Sequence, residues 1–143
     1  MITYVDTSVL ITVLVEEPGT DAARRLWSEA DALASVTLVA VEARAALAAA
    51  RRGRRLAPAR YRRAVSNLGE LLDQLDLIGV GDEIVELAGD LAGSAPLRGD
   101  DAVHLAGALL VEASVMASAD RALCSAAERL GLHIAHPTGA GGS

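Results

Sequence analysis

The residues of this sequence best placed to do chemistry are acids. Asp6 ends the apolar run ITYV at residues 2–5, and Asp120 follows a similar run, Val115 to Ser118. Both stand at the carboxyl end of a predicted strand, facing a helix start, which is where open α/β sheets bind ligands. Glu42 lies in TLVAVEARAALAAA, where from Leu38 to Ala50 only Glu42 and Arg44 are polar. Asp100 and Asp101 open LRGDDAVHLAGALLVE, with His104 three residues after Asp101. Each aspartate has a structural alternative, because carboxylates cap helix amides and suit the positive end of the helix dipole. His104 reads as a packed, hydrogen-bonded histidine sooner than as a ligand.

Glu42 is the least comfortable of these acids. A helix apolar nearly all round is expected to be buried. Glu42 shares a line with Leu38, Ala45 and Ala49, while Arg44 points to another side and cannot neutralise it. A buried carboxylate without a partner is costly or is forced neutral, so an arginine from elsewhere or a metal ion is expected to meet it. If the strands are parallel, Asp6, Glu42, Asp101 and Asp120 can converge on one edge of the sheet. Gathered carboxylates repel unless a cation joins them, and oxygen-only ligation suits Mg²⁺ or Mn²⁺ rather than zinc. A metal pair about 4 Å apart would orient water and stabilise the leaving oxygen of a phosphodiester.

The elements that must position these acids alternate between strand and helix. The first strand leads into a helix that Thr7 or Ser8 can cap, and Thr20 can cap a second. A strand at Ala32 to Val36 precedes a helix from Thr37 to about Arg52, ended by Gly53. Pro58 begins the next helix, and Leu75 to Val80 reads as a strand. Asp82 caps a helix to about Ala92, Gly93 to Gly99 is a loop, and a helix follows from Asp100 or Asp101 to about Glu112. Val115 to Ser118 is a strand, Asp120 opens a helix that Gly131 ends, and His133 to Ala135 is a short edge strand. Residues 1–137 form one α/β domain with a parallel sheet covered on both faces, and the Gly-rich tail, 138–143, is expected to be flexible.

A chain of 143 residues has the size of one domain. With 52% hydrophobic residues but no Phe, the core must be built from Leu, Val, Ile and Ala, which lets helices approach closely. The single cysteine, Cys124, excludes an intrachain disulfide and a Cys-based zinc site and reads as a small buried apolar residue. There is no basic leader and no uninterrupted apolar run of about 18 residues, so a cytoplasmic protein is expected. The net charge of −6 argues against nucleic acid, yet residues 51–63 hold seven arginines and no acid. That stretch can track an RNA backbone, grip an acidic partner, or be a solvated helix end. Ser8 stands where a haloacid-dehalogenase-type phosphatase needs a second aspartate, a receiver domain needs a lysine that is absent, and no GxxxxGK loop occurs.

VDTSVL, VEARAAL, LRGDDAVHLAGAL and ASADRAL, closing on Gly131-Leu132, taken in that order, resemble the PIN domain and, within it, the VapC-type toxins of bacterial toxin–antitoxin pairs. The resemblance implies a three-layer α/β/α sandwich around a short parallel sheet. It implies an endoribonuclease dependent on Mg²⁺ or Mn²⁺, a homodimer, and a small antitoxin whose tail blocks the acidic site. By position it makes Asp6, Glu42, Asp101 and Asp120 the catalytic, metal-binding acids, with Ser8 and Ser118 in support. Asp101 is preferred to Asp100 because the family pattern reads D-A-x-H-L-A. Arg51, Arg52, Arg54 and Arg55 are the candidates for RNA or partner binding. A non-catalytic PIN-like binding module and a housekeeping RNA-processing nuclease remain open as alternatives.

Overall fold

The computed structural model describes residues 1–137; the tail at 138–143 lies outside the described residues. Along the chain run β1 (Ile2–Val5), α1 (Thr7–Leu14), α2 (Thr20–Glu29), β2 (Ala32–Val36), α3 (Leu38–Arg52) and α4 (Pro58–Asp73). They are followed by β3 (Asp76–Ile78), α5 (Asp82–Ser94), α6 (Gly99–Leu110), β4 (Val115–Ala117), α7 (Arg121–Arg129) and β5 (His133–Ala135). The strands form one sheet in the order β3-β2-β1-β4-β5, and every pair is parallel.

Parallel neighbours require crossover connections, and here the crossing helices cover both faces. Side chains alternate along each strand. Tyr4, Val36 and Met116 pack with Ile84, Leu105 and Leu123 from α5, α6 and α7. Their neighbours Val5 and Ala117, with Leu33, pack against α1 to α4 through residues such as Leu10, Trp27, Leu47 and Leu68. The result is the expected three-layer sandwich.

Small residues let α6 lie close to the sheet. A Cβ added at Gly107 would stand 2.6 Å from Val36 Cγ1 and 3.1 Å from the Tyr4 ring. Both neighbours are 0% exposed, so neither can retreat. Gly107→Ala should therefore destabilise the fold by about 1–3 kcal/mol through overpacking, although alanine favours a helix by up to about 1 kcal/mol. Denaturant unfolding measures this; wild-type stability would mean that α6 can move off the sheet.

The chain places β2 and β3 on one side of β1, then returns to place β4 on the other. The order reverses between β1 and β4, and the crevice beyond their carboxyl ends is a topological switch point. The Asp6 amide donates to Ala117 O at 3.2 Å, which ties those two strand ends together.

Several boundaries and caps depart from the sequence reading. β3 covers three residues only, α5 runs on to Ser94, α6 starts at Gly99, and Ser118 lies one residue beyond β4. Asp6, rather than Thr7 or Ser8, caps α1. Gly19, with φ 94°, precedes α2 in place of a Thr20 cap, and the buried Thr20 hydroxyl bonds back to Thr12 O at 2.9 Å. Gly81, not Asp82, holds the cap position of α5. The largest correction concerns α3, which is not buried all round: Val41 is 61% exposed, and Arg44, Ala45 and Ala46 face solvent. Alanine supplies helix propensity while presenting little apolar area, so a run of alanines does not require burial. Among the described residues no helix is long and apolar enough to cross a membrane.

Candidate active site

Asp6 is 5% exposed at the end of β1. Its Oδ1 accepts the Val9 amide at 3.3 Å and so caps α1. Two serines also hold it, Ser8 Oγ donating to Oδ1 and Ser118 Oγ to Oδ2, each at 2.5 Å. The next loop fixes both serines, since the Ala119 amide donates to Ser8 Oγ and the Asp120 amide to Ser118 Oγ, each at 2.9 Å. Cap and site are thus not alternatives for Asp6. Burial pushes its carboxyl above the usual range against the opposing bonds from Ser118 and Ser8.

Across the crevice, Asp120 caps α7 by accepting the Leu123 amide at 2.9 Å. Asp101, 7% exposed, sits in the first turn of α6. Burial, and then the charge of Asp120, raises its pKa against the hydrogen bond from Arg98. Arg98 joins this cluster: Nε lies 3.3 Å from Asp101 Oδ2 and 3.8 Å from Asp100 Oδ1, and Nη2 lies 3.9 Å from Asp120 Oδ2. Its side chain is 75% exposed, so these are solvent-screened ion pairs that other cations can replace.

Glu42, in the second turn of α3, is met neither by an arginine nor in deep burial. Its side chain is 20% exposed, and its Oε1 accepts from the Thr7 hydroxyl at 2.8 Å and lies 2.7 Å from His104 Nε2. Burial alone would raise its pKa; the hydrogen bond and charge of His104, then the Thr7 bond, outweigh it and hold the carboxyl below its usual value. The partner missed in the sequence lies 62 residues away, on another helix. His104 is itself buried and hydrogen-bonded, as expected.

Asp6, Asp101 and Asp120, with Ser8 and Ser118, thus gather at the carboxyl edge of β1 and β4, with Glu42 joined to the same region through Thr7. In their present rotamers no three His, Cys, Asp or Glu side chains among the described residues surround one metal position; each acid is bound to a protein donor instead. The donor chemistry nonetheless fits a hard divalent cation. All the donors are carboxylate or hydroxyl oxygens, and Asp101 and Asp120 repel one another while sharing one cationic group, the Arg98 guanidinium.

The arginine stretch lies elsewhere. Arg51 and Arg52 close α3, and nine residues of helix from Glu42 to Arg51 span about 14 Å. Arg51 lies over the Tyr61 ring at 5.1 Å, while Arg24, Arg55, Arg60 and Arg63 line a cleft of about 320 Å³ with Leu14 and Leu56. Cys124 is half-buried rather than buried, and burial, then the charge of Asp6, pushes its thiol up to about 11, which leaves it unreactive as a nucleophile. Arg98 was not singled out from sequence because it stands apart from the arginine run; its signal was the i, i+3 spacing to Asp101.

With this geometry in hand, comparisons give a consistent picture. The model of the PIN domain family matches residues 3–129. A curated relative, Ribonuclease VapC45 of Mycobacterium tuberculosis, is 36% identical over 134 residues, covering 92% of this chain and 93% of that protein. Among solved structures, Mycobacterium tuberculosis VapC20, described as a Sarcin-Ricin loop cleaving toxin, superposes with a TM-score of 0.68 at 18% identity, covering 87% of this chain and 94% of the other. A toxin-antitoxin complex from Klebsiella pneumoniae gives a TM-score of 0.67 at 17% identity, with 94% and 97% covered.

Proposed function

Because this chain belongs to the PIN-domain family and, within it, to the VapC ribonucleases, we propose that it is a divalent-metal-dependent endoribonuclease, the toxin of a toxin–antitoxin pair. The observation that carries the reading is the convergence of Asp6, Asp101 and Asp120 on one edge of the sheet, where two of the three carboxyls are held above their usual range. Asp6, Glu42, Asp101 and Asp120 are the residues that would hold the metal, with Mg²⁺ or Mn²⁺ suiting their oxygen donors. When bound, such a cation supplies the Lewis acidity and water activation that phosphodiester hydrolysis needs.

The chain's own groups do the rest. Ser8 and Ser118 fix the rotamer of Asp6, and the Ala119 and Asp120 amides fix the serines. Arg98, exposed beside the acids, is placed to pair with an RNA phosphate that approaches them, which a site lined by carboxylates alone would repel. Arg51, Arg52, Arg54 and Arg55 are exposed and remote from the acids. We assign them to RNA backbone or to acidic groups of a partner outside the cleavage centre. A small antitoxin is the expected partner, a role supported by family membership and by structural neighbours that are toxin–antitoxin complexes. The family likewise supports a homodimer, acting in the cytoplasm.

The purified chain incubated with RNA in Mg²⁺ or Mn²⁺ should release discrete fragments, mapped by sequencing their ends. A cognate antitoxin should stop the reaction. RNA left intact in both metals, or cut equally well in excess EDTA, contradicts the reading. One observation favours a second reading, a non-catalytic binding module: every acid has a protein donor. Tight antitoxin binding without cleavage under any metal would select it.

A further inference from the structure

Behind Glu42 a line of polar side chains runs into the core, and RNA cleavage as described gives it no part. His104 is 2% exposed and Tyr4 0%. His104 Nε2 lies 2.7 Å from Glu42 Oε1, and its Nδ1 lies 2.8 Å from the Tyr4 hydroxyl. A carboxylate only accepts, so Nε2 carries a proton and donates to Glu42, while Nδ1 stands against the Tyr4 hydroxyl. Burial pushes the Tyr4 phenol far above its usual range, so the hydroxyl keeps its proton. The Tyr4 and His104 rings meet edge to face, with centroids 5.8 Å apart and planes at 73°. Gly107 completes the seat, since a Cβ there would stand 3.2 Å from the Tyr4 hydroxyl.

This line ends on a single oxygen. The Thr7 hydroxyl, at 2.8 Å, and His104 both bond Oε1 of Glu42, and neither bond involves Oε2; the Asp100 side chain is a further neighbour of this carboxylate. Polar groups placed this deep are costly unless fully satisfied, and apolar side chains would fill the same space without that demand. Among the described residues no buried side-chain nitrogen or oxygen lacks a partner, so the line is complete. What it achieves is orientation. A glutamate side chain has three rotatable bonds, and the two bonds to Oε1 restrict them.

We propose that Tyr4 and His104 are positioning residues that lock the Glu42 carboxylate by its Oε1 and leave Oε2 for the divalent cation, so that the core sets the affinity of the centre for its metal. This rests on the metal-centre reading above. Partners that orient ligands in this way typically change metal affinity by 10–100-fold when removed.

Titration calorimetry with Mn²⁺ on the full-length chain separates the possibilities. Wild type should bind, and Glu42→Gln should lose most of the affinity. His104→Asn, which removes the Nε2 donor, should weaken binding by about 10–100-fold. His104→Gln, whose amide reaches toward the Nε2 position, should restore much of it, and Tyr4→Phe should weaken binding by less than His104→Asn. In RNA cleavage the same order should appear in the Mn²⁺ concentration for half-maximal rate, with KM for RNA unchanged. A role in packing alone would lower thermal stability without producing this order. Tyr4→Phe keeps the ring and tests the idea even if His104→Asn does not fold. Wild-type affinity in Tyr4→Phe and in every folded His104 variant overturns the proposal while the metal centre stands; no binding by wild type, or full binding by Glu42→Gln, overturns the metal centre itself.

Discussion

Replacing Asp6 by asparagine should reduce metal-dependent RNA cleavage by at least about a hundredfold, because removing mere orienting partners of metal ligands already costs 10–100-fold. The same change should leave the chain folded. Asparagine keeps an oxygen for the Val9 amide and for Ser8, so the cap of α1 survives. Burial disfavours the charged carboxyl, and the neutral amide escapes that penalty. Because the folded pKa of Asp6 is raised, its contribution to stability is fully present below the ordinary aspartate value and is lost as pH rises through the folded pKa. The stability of the variant relative to wild type, both metal-free, should therefore increase with pH across that window and then level off. Glu42 has the opposite sign: its pKa is lowered, so its contribution is present above the ordinary glutamate value and is lost as pH falls through the folded pKa. Initial cleavage rates and denaturant unfolding from pH 4 to pH 8 read both effects. Activity within tenfold of wild type would show that Asp6 is only a cap.

The second large effect is that of the metal on the fold. A cation that binds the native chain stabilises it by RT ln(1 + [L]/Kd), about 2.7 kcal/mol at a hundred times Kd. For a chain of this length that corresponds to a rise in Tm on the order of 5–10 °C. The ligands must be deprotonated, and burial holds Asp6 and Asp101 above the usual range, so the stabilisation should shrink as pH falls into the carboxylate region. Melts in Mn²⁺ and in EDTA at matched ionic strength test this. Superimposable curves at neutral pH would mean that the acids are structural, held by Arg98, His104 and the serines alone.

How much of this was legible in the sequence depended on distance along the chain. The strands at Ile2–Val5, Ala32–Val36 and His133–Ala135 were readable because short apolar runs end at punctuating residues. The caps were less so: in Asp6-Thr7-Ser8 every residue type can cap, and only the backbone geometry selects Asp6. The exposure of α3 was misread because alanine counts as apolar in a pattern while needing little burial. The acids of the site announced themselves by type and position. Their partners did not, since Ser118 reaches Asp6 across 112 residues and His104 reaches Glu42 across 62. Such pairings follow from the strand order, which placed β4 against β1 and α6 over the sheet. The supposed need for a cation at Glu42 was thus half right: a partner was required, and the core supplies one.

The central claim, that the crevice beyond β1 and β4 is a divalent metal centre, is tested most directly by anomalous diffraction from crystals grown with Mn²⁺. The account predicts a manganese peak bounded by the carboxylates of Asp6, Asp101 and Glu42, with the Arg98 guanidinium turned away from Asp101. No peak at this edge of the sheet, or a peak only at acids elsewhere on the surface, would contradict it.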